Sequence, residues 1–431
     1  MMIKEIKGLD LKVYSETLPN GLKVFLVPYE DRNNYYIEYG VKYGAEIDEF
    51  ISSHTGKKTK EPYGVAHFLE HKMFEQEDGV DPFSFFSKSG TDSNASTGYR
   101  ITSYTVDGID NIEENLTFLL NFVNRPYFTD ENVEKEKGII IEELNMYKDQ
   151  PENILYEKSN CALFQKHPMR RDVGGTPRSV KKITKEILYE CYDTFYQPNN
   201  MFLVLAGKLN PEKIMDLIKK HKVLNEKQSN GEVKVFKVKE PLEVNEREKK
   251  IKIKNLQLPK FILNIKSPMK DLQKEEKYKY ILAADILLYV LFGMSSEFRE
   301  EMLNKGYYSL FYSSGVIIDD LLITEFVAES TKPDEFKEQI LKCLKEKKVT
   351  KEDIERVKKV KISLEVMETD KPFRVSDNII DHLLDFGDII YNKMDIIRSI
   401  TLKDIEEVRK NILMDNYSFV VGYPKNKKEE F

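Results

Sequence analysis

The heptapeptide Phe128-Thr-Asp-Glu-Asn-Val-Glu134 recurs 221 residues later as Val349-Thr-Lys-Glu-Asp-Ile-Glu355. In the first copy Thr129 is placed as a helix N-cap, with acidic residues in the first turn. Other segments repeat in the same order, namely Ile183-Thr with Ile400-Thr, and Asn200-Met-Phe-Leu-Val-Leu-Ala-Gly207 with Asn416-Tyr-Ser-Phe-Val-Val-Gly422. The common order and nearly constant offset predict a tandem duplication of one unit of about 200 residues.

The repeated unit mixes strand and helix patterns. Leu22 to Pro28 and Tyr35 to Tyr43 are predicted strands, and Asn94 to Val106 predicts a pair of strands. Asn111 to Val123 has the pattern of an amphipathic helix, and Met201 to Ala206 is apolar enough for a strand buried on both faces. The sequence therefore predicts an α+β fold with two tandem homologous lobes.

A polar, turn-rich stretch lies near the middle of the chain, where Asn225-Glu-Lys-Gln-Ser-Asn-Gly-Glu232 is followed by alternating Lys and Glu residues. Such a composition is typical of a solvated loop or of an interdomain linker. Because the second copy of the repeat follows it, we interpret it as a linker. The sequence predicts a first lobe over residues 1–225, a linker over 226–250 and a second lobe over 251–431.

The composition excludes several classes of protein. The 431 residues are 41% hydrophobic and 32% charged, which is typical of a globular chain and not of a disordered or collagen-like one. The formal net charge of −6 gives no basic surplus, so we expect no nucleic-acid partner. The three cysteines, Cys161, Cys191 and Cys343, form no disulfide or zinc-cluster pattern and favour a reducing compartment.

The sequence predicts no signal peptide and no membrane span. The segment from Met1 to Lys12 contains no apolar core of a signal peptide. The longest apolar stretch, Tyr280 to Met294, is shorter than a bilayer span and contains Asp285, so it predicts a buried helix. We therefore expect a soluble cytoplasmic protein without a membrane partner.

Two of the six histidines lie four residues apart, in Gly64-Val-Ala-His67-Phe-Leu-Glu70-His71-Lys-Met-Phe74. Residues four apart share one face of a helix, so both imidazoles can point at a single ion. Glu70 lies on the same side, next to the second histidine. This H-x-x-E-H order is the reverse of the metallopeptidase motif H-E-x-x-H. The alternative interpretation is a helix with two packed histidines and a surface glutamate.

A catalytic zinc ion takes three protein ligands and leaves one position for water, so the histidine pair predicts a third ligand elsewhere. The acidic segment from Glu136 to Tyr147 is the best candidate. Glu136 and Glu143 are seven residues apart, about two helical turns, and therefore share a face. Spacing alone does not distinguish Glu142 from Glu143 as the ligand.

Taken together, these residues resemble the pitrilysin/insulinase family of zinc metallopeptidases, and in particular its branch of subunits like the mitochondrial processing peptidase. His67-x-x-Glu70-His71 with the distant Glu143 carries the resemblance. Further matching segments are Leu22 to Pro28, Gly90 to Ser96, His167 to Pro177 and Gln197 to Gly207. The resemblance implies lobes that are each a mostly antiparallel sheet packed with helices and that close as a clamshell.

The resemblance also implies the roles of the motif residues. His67, His71 and Glu143 would bind Zn²⁺, one ion per chain. Glu70 would be the general base that takes a proton from the attacking water. Glu136 would be the carboxylate that orients a metal-bound histidine.

The resemblance further implies a binding site for the substrate backbone. Asn94 and Ala95 would lie on an edge strand, to which a peptide adds as a further strand. The alternative is an ordinary junction between a turn and a strand.

The second copy of the repeat lacks the metal chemistry. The offset places Leu364 opposite Glu143, and Leu288 and Phe292 opposite the two histidines, so we expect the second lobe to bind no metal and to enclose the substrate. Members of the family usually hold the substrate carbonyl with an arginine and a tyrosine of that lobe.

The expected substrate-holding pair is not recognisable in this sequence. Met302 occupies the arginine position, Arg299 lies one turn earlier, and the turn before Tyr308 is one residue short, so neither residue is assigned the role. Some bacterial relatives divide the zinc site and this pair between two subunits. The sequence therefore predicts a heterodimer with a zinc-less homologous partner, and a homodimer is the alternative.

Three functions remain in competition. The leading hypothesis is a zinc endopeptidase that hydrolyses short or unfolded peptides, with leader or processing sequences among the candidates. The second is a non-catalytic peptide-binding or structural subunit of a related complex, against which the intact motif argues. The third is a metal hydrolase of another substrate class, because a fold and a motif do not fix the substrate.

Overall fold

The structure, a computed structural model, describes residues 1–425, so the last six residues of the second predicted lobe lie outside it. In chain order the strands are β1 (Met2–Ile6), β2 (Leu11–Thr17), β3 (Lys23–Pro28), β4 (Tyr35–Val41), β5 (Glu49–Ile51), β6 (Lys58–Lys60), β7 (Asp92–Thr97), β8 (Thr102–Gly108), β9 (Met201–Gly207), β10 (Glu248–Ile253), β11 (Lys260–Pro268), β12 (Leu310–Ile318), β13 (Leu321–Glu329) and β14 (Tyr417–Pro424). The α-helices are α1 (Val65–Met73), α2 (Pro82–Lys88), α3 (Ile112–Val123), α4 (Asp130–Lys148), α5 (Pro151–Leu163), α6 (Pro177–Val180), α7 (Lys185–Phe195), α8 (Pro211–Lys220), α9 (Lys222–Glu226), α10 (Lys274–Phe292), α11 (Glu297–Asn304), α12 (Pro333–Glu346), α13 (Lys351–Glu368), α14 (Pro372–Phe386), α15 (Lys393–Ser399) and α16 (Leu402–Asn411).

The repeated heptapeptide begins a helix in both copies. The N–H of Asn132 donates to Thr129 Oγ1 (3.1 Å), and the N–H of Thr129 donates to Asn132 Oδ1 (2.9 Å). Thr350 and Asp353 make the same reciprocal pair at the start of α13, with both distances 3.1 Å. These bonds satisfy N–H groups that the first helical turn leaves free. The prediction of Thr129 as an N-cap is confirmed.

Two sheets carry the duplication. The first is seven-stranded, in the order β1-β2-β3-β9-β4-β8-β7, and the second is five-stranded, in the order β10-β14-β11-β13-β12. The five neighbouring strands β3-β9-β4-β8-β7 of the first sheet correspond, in this order, to the five strands of the second sheet. In each, only the first pair is parallel, β3 with β9 and β10 with β14, and the other pairs are antiparallel. The predicted α+β fold with two homologous, mostly antiparallel lobes is confirmed.

The compact units of the structure are made of several chain segments, whereas the sequence predicts contiguous lobes over 1–225 and 251–431. One compact unit comprises Met1–Leu144, Asp172–Lys237 and Val366–Tyr391, and the other comprises Asn145–Arg171, Val238–Glu365 and the chain from Asn392 onward. The chain passes between units inside α4, after residue 144, and inside α13, after residue 365. These points are 221 residues apart and are thus equivalent in the repeat. Because both helices are continuous, the helix that follows each of them belongs to the other unit.

We call α5 and α14, the helices that follow these two points, the exchanged helices. Each of them covers one face of a sheet. The central strand β9 is buried along its whole length, as predicted, and such a strand needs apolar cover on both faces. In the first unit α14 supplies this cover, with Val375, Ile379 and Leu383 in one cluster with Phe25 and Val204. In the second unit α5 does the same, and the shared cluster contains Leu155, Ala162, Ile253, Ile262 and Val420.

The predicted linker, 226–250, is ordered by contacts in its middle part, at Val235 and Glu240. Val235 forms a β-bridge with Phe50 in the first unit. In the second unit the buried carboxylate of Glu240 accepts the backbone N–H groups of residues 165–167 at 2.7–2.8 Å. It also accepts Lys266 Nζ at 2.7 Å. Strand β10 begins at residue 248, so the last three residues of the predicted linker belong to a strand.

One segment among the described residues, Lys274–Asn304, is long and apolar enough to cross a membrane by length and composition. Within the fold, 61% of its apolar window is buried. Leu288 and Phe292 of α10 lie in the core of the second unit, and Asp285 pairs with Lys361. The apolar stretch from Tyr280 to Phe292 therefore packs within α10 as a largely buried helix.

A buried carboxyl group forms a hydrogen bond between α14 and the sheet of the first unit. Glu38 of β4 is only 6% exposed, and its Oε2 accepts the hydroxyl of Ser376 at 2.8 Å. Burial raises the pKa of Glu38 to about 7, against the opposing hydrogen bonds of Ser103 and Ser376. The carboxylates of Asp377 and Asp381 add to the rise.

We expect this group to make stability depend on pH. Between about pH 4.5 and 7 the folded state keeps the Glu38 proton that the unfolded chain releases. The contribution of this proton to the stability of the folded state is therefore complete at low pH and is lost as pH rises through 7. From pH 5 to pH 8 the free energy of unfolding of Glu38→Gln should gain roughly 2–3 kcal/mol relative to the wild type. Denaturant unfolding at both pH values measures this gain. Glu5→Gln, at an exposed position of β1, is the matched control, and a gain equal to its own would contradict the prediction.

Candidate metal centre

Helix α1 places the motif residues. Its buried apolar side chains, Val65, Ala66, Phe68, Leu69 and Met73, pack into the core, which leaves His67, Glu70 and His71 together on the other side. Gly64 precedes the helix with φ 95°, and a Cβ there would lie 2.4 Å from the carbonyl oxygen of Gly174. Only glycine allows this close approach. The start of α1 is therefore set against the 174–175 loop.

Helix α4 brings a carboxylate to the histidine pair. Glu143 Oε2 lies 3.9 Å from His67 Nε2 and 3.5 Å from His71 Nε2. The neighbouring Glu142 is exposed, while Ile140 and Leu144 bury the helix in the core. The structure thus brings Glu143, and not Glu142, together with the histidines.

The three groups fit a zinc ion. Ligand atoms at about 2.0–2.1 Å from a tetrahedral zinc lie about 3.3–3.4 Å from one another. Suitable ligand atoms of His67, His71 and Glu143 all lie within 4.8 Å of one another. Glu143 Oε2 is buried and has no hydrogen-bond donor among residues 1–425, a costly state for a carboxylate unless a cation faces it. Two imidazoles and one carboxylate are a typical donor set for catalytic zinc.

Glu136 lies behind the second histidine. Its Oε1 is 3.0 Å from His71 Nδ1. When Nδ1 donates this hydrogen bond, the lone pair of Nε2 faces Glu143, as a metal ligand requires. Burial by itself would lower the pKa of His71, but the Glu136 carboxylate raises it above its ordinary value. The same pairing holds the pKa of Glu136 below its ordinary value, although burial alone would raise it.

The two histidines differ in their surroundings. His67 Nδ1 is buried without a hydrogen-bond partner in the described part of the chain. Burial, together with the nearby His71, lowers the pKa of His67 to about 4. Its imidazole is therefore neutral near pH 7, which is the form that binds metals.

We expect Glu136→Ala to weaken zinc binding by about 10–100-fold, because the variant loses the acceptor that orients His71. Competition with a chromophoric chelator measures the affinity. Glu134→Ala is the matched control, since the exposed Glu134 lies on the same helix and pairs with Lys137 instead of a histidine. Equal zinc affinities for the two variants would show that Glu136 has no part in holding the ligand.

Glu70 accepts a hydrogen bond that the sequence did not predict. Thr97 Oγ1 donates to Glu70 Oε2 at 2.6 Å. Burial raises the pKa of Glu70, and the Glu143 carboxylate adds to the rise, while the Thr97 bond and His71 oppose it. Thr97 lies 27 residues from Glu70 in sequence. The only signal for it in the sequence is its place within the predicted pair of strands, Asn94 to Val106.

Asn94 and Ala95 lie on β7, which is an edge strand of the seven-stranded sheet, as expected. Asn94 is exposed and Ala95 is half-buried. The N–H of Ala95 donates to Asn94 Oδ1 at 2.9 Å instead of to a neighbouring strand. That amide lies on the open side of the sheet, where a further strand could pair with it.

Two family descriptions match the chain. "Insulinase (Peptidase family M16)" matches residues 53–177, and "Peptidase M16 inactive domain" matches residues 182–361. A protein of Bacillus subtilis named uncharacterized zinc protease YmfH is 35% identical, over 99% of this chain and 100% of that relative. The chain belongs to the M16 insulinase family. The resemblance seen in the sequence is thereby confirmed.

A solved structure and a further relative are also similar to this chain. The crystal structure of a putative M16-like peptidase from Alicyclobacillus acidocaldarius superposes with a TM-score of 0.90 and 30% identity, covering 97% of this chain and 99% of that one. A protein of Arabidopsis thaliana named probable mitochondrial-processing peptidase subunit beta is 26% identical, over 47% of this chain and 37% of the relative.

The M16 inactive-domain match includes the positions equivalent to the histidines. Leu288 and Phe292 are buried on α10, in an apolar core instead of a polar site. Arg299 Nη2 donates to the carbonyl oxygen of Phe311 at 2.6 Å, and the hydroxyl of Tyr308 donates to the carbonyl oxygen of Arg299 at 2.9 Å. Both side chains are thus engaged within the second unit.

Proposed function

We propose that this chain is a zinc-dependent endopeptidase that hydrolyses short or unfolded peptides. The observation that carries the proposal is the convergence of His67 Nε2, His71 Nε2 and Glu143 Oε2, with Glu70 on the same helix face as both histidines. The names of the relatives support a peptidase, since several are called zinc proteases. The proposal goes beyond those names in assigning a role to each residue.

In this proposal His67, His71 and Glu143 would hold one zinc ion, and Glu136 would orient His71. Zinc at such a site lowers the pKa of a coordinated water to about 7 and polarises a carbonyl. Glu70 takes a proton from the water that attacks the peptide carbonyl. It then delivers this proton to the departing amine.

The peptide is proposed to bind as an added strand along β7. Main-chain hydrogen bonds recognise an extended backbone whatever its side chains, so this mode favours unfolded segments. Asn94 and Ala95 supply the edge at which pairing begins. Leader or processing sequences, which are extended and unfolded before cleavage, are the substrate class that we propose.

We propose further that the active form is a heterodimer with a zinc-less M16 homologue. Arg299 and Tyr308 are engaged within their own unit, which supports a partner that supplies the groups for the substrate carbonyl. The Arabidopsis relative named above is a subunit by its name. A cytoplasmic location, expected from the sequence, belongs to the same proposal.

The first experiment measures bound metal and follows the cleavage of a quenched peptide library, with and without chelator. About one zinc per chain and chelator-sensitive cleavage are expected. A chain without zinc would refute the proposal and leave the alternative, a structural or peptide-binding subunit. Cleavage restricted to non-peptide esters or amides would indicate a hydrolase of another substrate class.

The heterodimer needs a separate test. The chain is assayed alone and with an M16 homologue that lacks the H-x-x-E-H motif and is encoded in the same genome. Cleavage that rises at least tenfold with the homologue, together with a one-to-one complex in light scattering, is expected. A fully active chain whose rate no such homologue changes would refute the heterodimer.

A further inference from the structure

The end of the edge strand touches the proposed general base. Thr97 is the last residue of β7, and its hydroxyl donates to Glu70 Oε2 at 2.6 Å. A carboxylate only accepts hydrogen bonds, so the hydroxyl must be the donor. Charge-assisted O–H···O⁻ bonds of this length are among the strong hydrogen bonds of proteins. Thr97 therefore restrains the Glu70 carboxylate directly.

Thr97 is itself held firmly. The turn after it closes with a hydrogen bond from the N–H of Gly98 to the carbonyl oxygen of Ile101 (2.8 Å). The N–H groups of Ala45 and Glu46 donate to the carbonyl oxygens of Gly98 and Tyr99 at 3.0 and 2.8 Å. A Cβ on Gly44 would lie 2.6 Å from the Gly98 oxygen, so the two segments are in close contact. Backbone hydrogen bonds thus fix the turn that directly follows the donor to Glu70.

We propose that Thr97 is a positioning residue for the reaction. It holds Glu70 Oε2, so that the second carboxylate oxygen is directed to the water that loses a proton. This inference rests on the proposed function, in which Glu70 is the base and β7 binds the peptide.

The same residue links peptide binding to the base. Asn94 and Thr97 lie on one strand, three residues or about 10 Å apart. A peptide that pairs along β7 extends past Asn94 toward the position of Glu70. Thr97 belongs to that strand and also bonds Glu70, so the same strand positions both the peptide and the base. The distance between the peptide carbonyl and Glu70 therefore varies little.

The test compares two substitutions at Thr97. Thr97→Val keeps the shape and removes the hydroxyl, and kcat should fall about 10–100-fold while KM changes less than about threefold. Thr97→Ser restores the donor and should recover kcat to within about threefold of the wild type. Bound zinc should be unchanged in both variants, since Thr97 is not among the converging ligand groups. Thr117→Val is the control, because within residues 1–425 that hydroxyl bonds only the Glu113 carbonyl in α3, at 2.7 Å.

A crystal structure of Thr97→Val supplies a readout that does not depend on activity. The Glu70 carboxylate should leave its wild-type orientation or occupy several. A wild-type orientation together with wild-type kcat would overturn the inference, and so would a Thr97→Ser variant as slow as Thr97→Val. A wild-type protein that cleaves no peptide, alone or with a homologue, would refute the proposed function. The orientation of Glu70 in the valine variant would then still decide whether Thr97 positions it.

Discussion

Glu70→Gln is expected to lose at least about 1,000-fold in kcat/KM while it binds zinc as the wild type does. General acid–base groups contribute about 10²–10⁴-fold, and Glu70 is proposed both to take and to return the proton. Gln has the same shape, and its amide oxygen can still accept the Thr97 hydroxyl. The variant therefore removes the basic group with little change to the fold or to the ligands His67, His71 and Glu143.

The measurement pairs steady-state cleavage of a quenched peptide with metal analysis of the same preparation. Glu142→Gln is the matched control, because Glu142 is exposed on α4 and lies outside the ligand group. Cleavage by Glu70→Gln at more than a tenth of the wild-type rate would exclude Glu70 as the base. Zinc present in both proteins without cleavage in either would point to the missing partner.

Glu143→Gln is expected to lose zinc. The substitution removes the only negative charge among the three ligands, and a neutral amide is a poor ligand for zinc. The binding free energy of a protein zinc site is about 10–16 kcal/mol. If three or four ligands contribute equally to it, the loss of one ligand costs on the order of 3 kcal/mol, or more than 100-fold in zinc affinity. Buried Glu143 Oε2, which has no donor among the described residues, is the atom concerned.

The adjacent Glu142→Gln again serves as the control, and this comparison resolves what spacing left open. We expect zinc affinity to be unchanged in Glu142→Gln and peptide cleavage to be lost only in Glu143→Gln. Chelator competition at fixed pH gives both affinities, and thermal unfolding checks that each variant is folded. A reversed result, with zinc lost from Glu142→Gln, would mean that α4 presents a different face to the histidines.

Several features of this protein were predictable because they depend on neighbours in sequence. The H-x-x-E-H spacing places His67, Glu70 and His71 on one face of any helix that forms there. Thr129 acts as a cap because its partner, Asn132, is three residues away. The apolar run that became β9 predicted a strand buried on both faces.

Other features depended on packing between distant segments. Glu142 and Glu143 are neighbours about 100° apart around the helix axis. Which of them faces the histidines depends on how α4 is rotated, and the burial of Ile140 and Leu144 fixes that rotation. The bond between Thr97 and Glu70 joins residues of two elements, and no spacing rule encodes it.

The positions of two whole helices, α5 and α14, were likewise not predictable from the sequence. The sequence predicts contiguous lobes, yet α5 and α14 each cover a sheet of the other half of the chain. An amphipathic pattern shows that a helix has an apolar face to bury, but it does not show which sheet that face will cover. The sequence by itself thus determined the duplication, the strand and helix types and the chemistry of the motif. Only the tertiary structure decided which carboxylate faces the histidines, which hydroxyl holds Glu70 and which sheet each exchanged helix completes, because these are contacts between segments far apart in the chain.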